Sequence, residues 1–132
     1  MVTEKVRILF LDDDAAFLKM VSERLGSDGY QVTLQTDSTK AIESIRQGKV
    51  DVAFVDFKMP DLNGIEVIGL IREFNRTIPL VLLTGHTDIT IMDSYKHLNI
   101  YGFFAKLDDL KKLSSLIQVI LRGVDRSAGK VP

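Results

Sequence analysis

Cysteine is missing from this 132-residue chain. Its absence excludes a disulfide framework and any thiolate nucleophile. A surplus of either charge is missing too: 17 Lys and Arg stand against 18 Asp and Glu, for a net charge of −1. The chain as a whole therefore has no electrostatic pull toward nucleic acid or an anionic membrane. Long hydrophobic runs, internal repeats and low-complexity stretches are also lacking. The first apolar run, VRILFL, follows Glu4 and Lys5 and breaks on three acids at Asp12. It is too short for a secretory core or a membrane span, so a cytoplasmic protein is the expectation. What remains, 45% hydrophobic and 27% charged residues, suits one globular domain able to bury roughly two-thirds of its unfolded surface.

Five short apolar runs alternate with helical periods. The runs are VRILFL (6–11), YQVTL (30–34), VDVAFVD (50–56), IPLVLLT (78–84) and IYGFFA (100–105). The first, third and fourth are nearly continuous in aliphatic residues and Phe, as strands covered on both faces require. The second alternates Tyr30, Val32 and Leu34 with polar residues, the pattern of an edge strand. Phe17, Met20, Val21 and Leu25 share one helical face, with Gly26 as the expected stop. Ala41, Ile42 and Ile45 mark a second helix, opened by Asp37 or Ser38 and closed near Gly48. Ile65, Ile68 and Ile71 mark a third, and Leu110, Leu113, Ile117 and Ile120 the last. Residues 88–98 carry a weaker helical pattern, since β-branched residues crowd its start. Residues 1–122 are expected to form the domain, and 123–132 a flexible tail or truncated linker.

Five strand–helix units predict a doubly wound parallel α/β sheet, with its ligand site at the carboxyl ends of the strands. The polar residues at those ends are few: Asp12 and Asp13, Asp56, Thr84 and Lys106. Carboxylates brought that close repel, which raises a pKa or demands a cation. Hard oxygen ligands suit Mg²⁺, which shares phosphate oxygens and keeps its own waters. A hydroxyl and an ammonium beside it would serve the remaining phosphoryl oxygens, so the set reads as a phosphoryl-transfer site with a carboxylate acceptor. Taken singly, each residue has a plainer role: acids after a strand are solvated, a threonine caps a turn, and a lysine lies on the surface. Chance rarely fills successive strand ends with the parts of one site. Asp14 leads into the first helix and can accept its free backbone N–H groups. His86 and His97 have no metal-ligand spacing between them, and Lys111 and Lys112 read as a solvated helix face.

At these residues the chain resembles the receiver domain of bacterial two-component response regulators, over about residues 5–122. ILFLDDD is similar to that family's acidic strand end, and VDVAFVDFKMPDLNGIEVI to its phosphoacceptor signature. Met59-Pro60, Asn63-Gly64, the Thr84 of LLTGHTDI and the Lys106 of GFFAKLDDL complete the likeness. The resemblance implies a flavodoxin-like five-stranded sheet in the order 2-1-3-4-5. It implies Asp56 as acceptor of a phosphoryl group from a sensor histidine kinase or phosphotransfer protein. Asp12, Asp13, Asp56 and the Lys58 backbone carbonyl would hold Mg²⁺, with Asp12 acting through a bound water. Lys106 and Thr84 would hold the phosphoryl group, and Phe103 would turn inward. That turn would remodel the fourth-helix, fifth-strand and fifth-helix face toward an output domain or downstream protein. The implied state is a monomer or a weak, phosphorylation-dependent homodimer that touches neither nucleic acid nor membrane directly.

Three departures from the family pattern stand out. Leu107 follows Lys106 where proline is usual; a cis bond before a non-proline costs about 2.5–4 kcal/mol, so trans is expected. Gly85 follows Thr84, loosening that loop. Lys58 and His86 fall at positions bordering the phosphoryl group and are expected to set its lifetime. Two rivals stay open from sequence. Asp12-Asp13-Asp14 also resembles the D-x-D of haloacid-dehalogenase-like phosphatases, with Asp12 as nucleophile, although Ala16 and an unexplained Asp56 weigh against that enzyme. A degenerate receiver that takes no phosphoryl group is the other.

Overall fold

The computed structural model describes residues 5–85 and 96–127. Five strands form one parallel sheet: β1 (Arg7–Leu11), β2 (Gln31–Gln35), β3 (Val52–Asp56), β4 (Leu80–Thr84) and β5 (Gly102–Ala105). Their order is β2-β1-β3-β4-β5, so the topology reverses direction between β1 and β3, and β2 is an edge strand as its alternation required.

The pleat sends alternate side chains to two separate cores. Leu9, Leu11, Ala53, Val55, Leu80 and Leu82 pack beneath α2 (Ser38–Arg46) and α3 (Gly64–Phe74). Ile8, Phe10, Val52, Phe54, Val81 and Leu83 pack beneath α1 (Ala15–Ser27) and the C-terminal helix (Leu110–Ser127). This is why the central strands read as unbroken apolar runs. Phe10 stacks on Phe54, centroids 4.5 Å apart, and meets Phe17 edge-on at 6.3 Å. Aromatic pairs of this kind add about 0.5–1.5 kcal/mol each beyond their buried area.

The helix boundaries sharpen several expectations. Asp14, Asp37 and Asn63 are the N-caps of α1, α2 and α3, accepting from the amides of Phe17, Lys40 and Glu66. Asp37 rather than Ser38 opens α2; Ser38 is its buried first residue. Gly26 does not stop α1, which runs on to Ser27; the left-handed position is Gly29, at φ 93°. The C-terminal helix continues past Arg122 through Ser127. Gly123 lies inside that helix at a close approach, where a Cβ would fall on the Tyr101 hydroxyl. Of the pattern at 88–98, residues 88–95 lie outside the described residues, and Lys96–Leu98 form a single 3₁₀ turn. Arg72 holds that turn, donating to the carbonyls of Leu98 at 2.9 Å and Asn99 at 2.8 Å.

Candidate functional site

Asp12, Asp13, Asp56, Thr84 and Lys106 stand at, or one or two residues beyond, the carboxyl end of a strand. Asp12 extends β1 by donating its amide to the Gln35 carbonyl at 3.0 Å. Leu11 pairs with Val55 across the β1–β3 ladder, so the next residues, Asp12 and Asp56, come side by side. Thr84 closes β4, and its carbonyl accepts the Lys106 amide at 2.9 Å. Register alone therefore gathers residues up to 94 positions apart in sequence.

One carboxylate oxygen from each of Asp12, Asp13 and Asp56 lies within 4.8 Å of the other two. Asp12 is fully buried and Asp56 is 4% exposed, whereas Asp13 faces solvent. The Lys106 ammonium sits over this group. Its Nζ donates to Asp12 Oδ1 at 3.1 Å and lies 2.9 Å from Oδ2, which takes no hydrogen bond. The same Nζ is 3.7 Å from Asp56 Oδ2 and 3.7 Å from Asp14 Oδ2. The ring of Phe17 lies under it, 5.3 Å from the centroid.

Burial, and then the charge of Asp12, push the Asp56 carboxyl up to about 7, with Lys106 opposing. Burial lowers the Lys106 ammonium, but Asp12, Asp56 and Asp14 outweigh it and the net shift is upward. One ammonium faces three crowded carboxylates, and the buried Asp12 Oδ2 has only its ion pair to Lys106, at 2.9 Å. Hard oxygens in this number, crowded about a single ammonium, fit a small divalent cation such as Mg²⁺.

The loop after β3 is shaped for this arrangement. A Cβ on Gly64 would stand 2.7 Å from the Asp56 carbonyl oxygen and 3.0 Å from the Phe57 Cα. Only glycine lets α3 start so close to β3, and the Gly64 amide bonds the Phe57 carbonyl at 2.8 Å. Asn63 and Glu66 form a reciprocal capping box there. Ser38 donates to Asp61 at 3.0 Å, tying the loop to α2.

Among the other candidates, Lys58 is exposed, and its amide reaches Asp56 Oδ1 at a long 3.4 Å. Phe103 is half-buried against the α2–α3 core. His86 lies outside the described residues, His97 is exposed, and Lys111 and Lys112 are exposed on the C-terminal helix. The Lys106–Leu107 peptide is trans, and Leu107 is 88% exposed. Sequence reasoning missed the second contact of Asp14, toward Lys106, and the position of Phe17 below the ammonium. Neither had a local signal, since both depend on where β5 ends.

Comparison with known proteins identifies the family and the fold. Residues 8–118 match the family model described as the response regulator receiver domain. The DNA-binding response regulator MtrA of Mycobacterium tuberculosis is 34% identical over 88 residues, covering 67% of this chain and 38% of that protein. The probable transcriptional regulatory protein TcrX, from the same species, is 31% identical over 120 residues, covering 90% of this chain and 48% of its own length. The chain thus spans less than half the length of either relative. A CheY-like receiver domain protein from Methanospirillum hungatei superposes with a TM-score of 0.88 at 21% identity, covering 94% of this chain and 99% of that one. The chemotaxis protein CheY4 of Vibrio cholerae superposes at 0.81 with 25% identity, covering 87% and 98%.

Proposed function

The chain belongs to the response regulator receiver domain family, and from that premise we propose that it is a phosphoacceptor signalling module with Asp56 as its acceptor. The convergence of Asp12, Asp13 and Asp56 within 4.8 Å, beneath one lysine, carries the proposal. No helix among the described residues is long and apolar enough to cross a membrane.

In the proposed transfer, an oxygen of ionised Asp56 attacks the phosphorus of a phosphohistidine on a sensor kinase or phosphotransfer protein. The O–P bond forms as the N–P bond breaks, and the imidazole nitrogen leaves with the electron pair. Asp12, Asp13, Asp56 and the Lys58 backbone carbonyl would hold Mg²⁺. A bound divalent cation supplies positive charge that keeps the carboxylates ionised together and offsets charge on the phosphoryl oxygens. Lys106 is already 3.7 Å from Asp56, within a small side-chain adjustment of any phosphoryl group seated there. Thr84 ends the neighbouring strand and would hydrogen-bond another phosphoryl oxygen. Its displacement would make room for Phe103 to turn inward. The face affected bears Tyr101 and Val119, both of which expose apolar surface toward an output domain or downstream protein. The chemistry is self-phosphorylation and slow hydrolysis of the acyl phosphate rather than turnover of a free substrate.

Asp14 argues against the D-x-D phosphatase reading, because the Phe17 amide, with Lys106 nearby, holds its carboxyl below its ordinary value, the wrong direction for a general acid. Beryllofluoride with Mg²⁺ mimics an acyl phosphate, and adding it should shift the amide NMR signals of Asp56, Thr84 and Lys106. An unchanged spectrum would favour a module that takes no phosphoryl group. Lys58 and His86 are proposed to modulate phosphoryl lifetime. A Lys58→Ala, His86→Ala protein should lose its phosphoryl group at an altered rate, and decay at the original rate would refute the assignment.

A further inference from the structure

The α1 N-terminus reaches Lys106 from two sides. Asp14 divides its carboxylate: Oδ1 accepts the Phe17 amide at 3.1 Å, which closes the first turn of the helix. Oδ2 is left facing Lys106 Nζ at 3.7 Å, while the Phe17 ring lies 5.3 Å below the same ammonium. The cap thus fixes both the second oxygen and the ring. Asp56 is no nearer, its Oδ2 also standing 3.7 Å from Nζ. The lysine is consequently shared among Asp12, Asp14 and the acceptor before any phosphoryl group arrives.

We propose that Asp14 is a positioning residue that tethers Lys106 in the unphosphorylated state and competes with the phosphoryl group for its ammonium. The inference rests on Asp56 being the acceptor, and it adds a second hold on that lysine beside the one Asp12 exerts. Asp12 holds the lysine too, but its proposed place in the cation site means it cannot be removed without losing that site. Asp14 is outside that cluster. Its side chain is 47% exposed, so the tether should be weak and screened by salt, in the range of a surface ion pair.

Asp14→Asn separates the two roles, since asparagine caps a helix about as well as aspartate but carries no charge. Its melting temperature should stay close to the parent's. Beryllofluoride affinity in saturating Mg²⁺ should rise about two- to fivefold at low salt and return toward the parent value at 1 M salt, where the Debye length falls to about 3 Å. Removing an acid could also favour an anion directly through the local field. A direct effect would persist in a Lys106→Gln background and an effect through the tether would not, so the proposal predicts that Asp14→Asn changes nothing there. An equal gain in both backgrounds would overturn the proposal. A second readout needs no phosphoryl mimic: the ¹⁵N signal of the Lys106 ζ-ammonium should shift in resting Asp14→Asn. An unmoved signal would overturn the proposal by itself, even if Lys106→Gln bound no beryllofluoride. Should the parent bind beryllofluoride while Asp14→Asn matches it, only the tether falls. Should the parent bind none, the acceptor reading falls with it.

Discussion

Asp56 is held at 4% exposure beside the fully buried Asp12, and its carboxyl rises from 3.8 to about 7 because of burial first and Asp12 second. The folded protein therefore binds this proton more tightly than the unfolded chain does. The stabilising contribution is fully present below pH 3.8 and is lost as the pH climbs through 7. Asp56→Asn should accordingly raise stability at pH 8 without divalent cation, by on the order of 1–3 kcal/mol, and flatten stability between pH 4 and 7. Adding Mg²⁺ should stabilise the parent at pH 8 and leave Asp56→Asn nearly unchanged. Urea titrations across that pH range, with and without Mg²⁺, measure all of this. A parent more stable than Asp56→Asn in cation-free buffer at pH 8 would count against the electrostatic account. Asp12, Asp13, Asp56, Thr84 and Lys106 were legible in the sequence because each follows an apolar run at a strand end. The contact between Asp14 and Lys106 was not, since a residue that looks like a helix cap carries no mark of a partner 92 positions on.

At the scale of elements, the β3–α3 connection ties Asp56 to its scaffold. Gly64 admits the α3 N-terminus to within contact of the Asp56 carbonyl, and that contact is with backbone, which cannot step aside as a flexible side chain would. Gly64→Ala should cost about 1–3 kcal/mol in chemical denaturation. It should also displace the Asp56 amide signal in NMR spectra. Retained stability with an unshifted Asp56 signal would show that the loop yields freely. Strands and helix faces were readable from periodicity because burial on one or both faces dictates it. Stops were harder. Gly26 looked like a helix end and residues 123–132 like a tail, yet α1 runs on to Ser27 and the C-terminal helix to Ser127. Gly123 answers to the Tyr101 hydroxyl packed against it, a tertiary demand that no local pattern announces.

At the scale of the whole molecule, the strand order places β1 and β3 next to each other at the point where the topology reverses. In open α/β sheets this is where ligands bind, and here it is where Asp12 and Asp56 meet. The sheet order was legible through the family motifs rather than through the strands themselves, because pairing order leaves no periodic trace. The near-zero net charge gives the molecule no long-range field, so recognition of a phosphodonor should rest on local surface shape and on the site's own charges. The most direct test of the acceptor assignment is to expose the protein to acetyl phosphate with Mg²⁺ and map the acyl phosphate by trapping and mass spectrometry. One phosphoryl group should appear on Asp56, persist in Asp14→Asn and vanish in Asp56→Asn. Labelling that survives Asp56→Asn and disappears only in Asp12→Asn would contradict it.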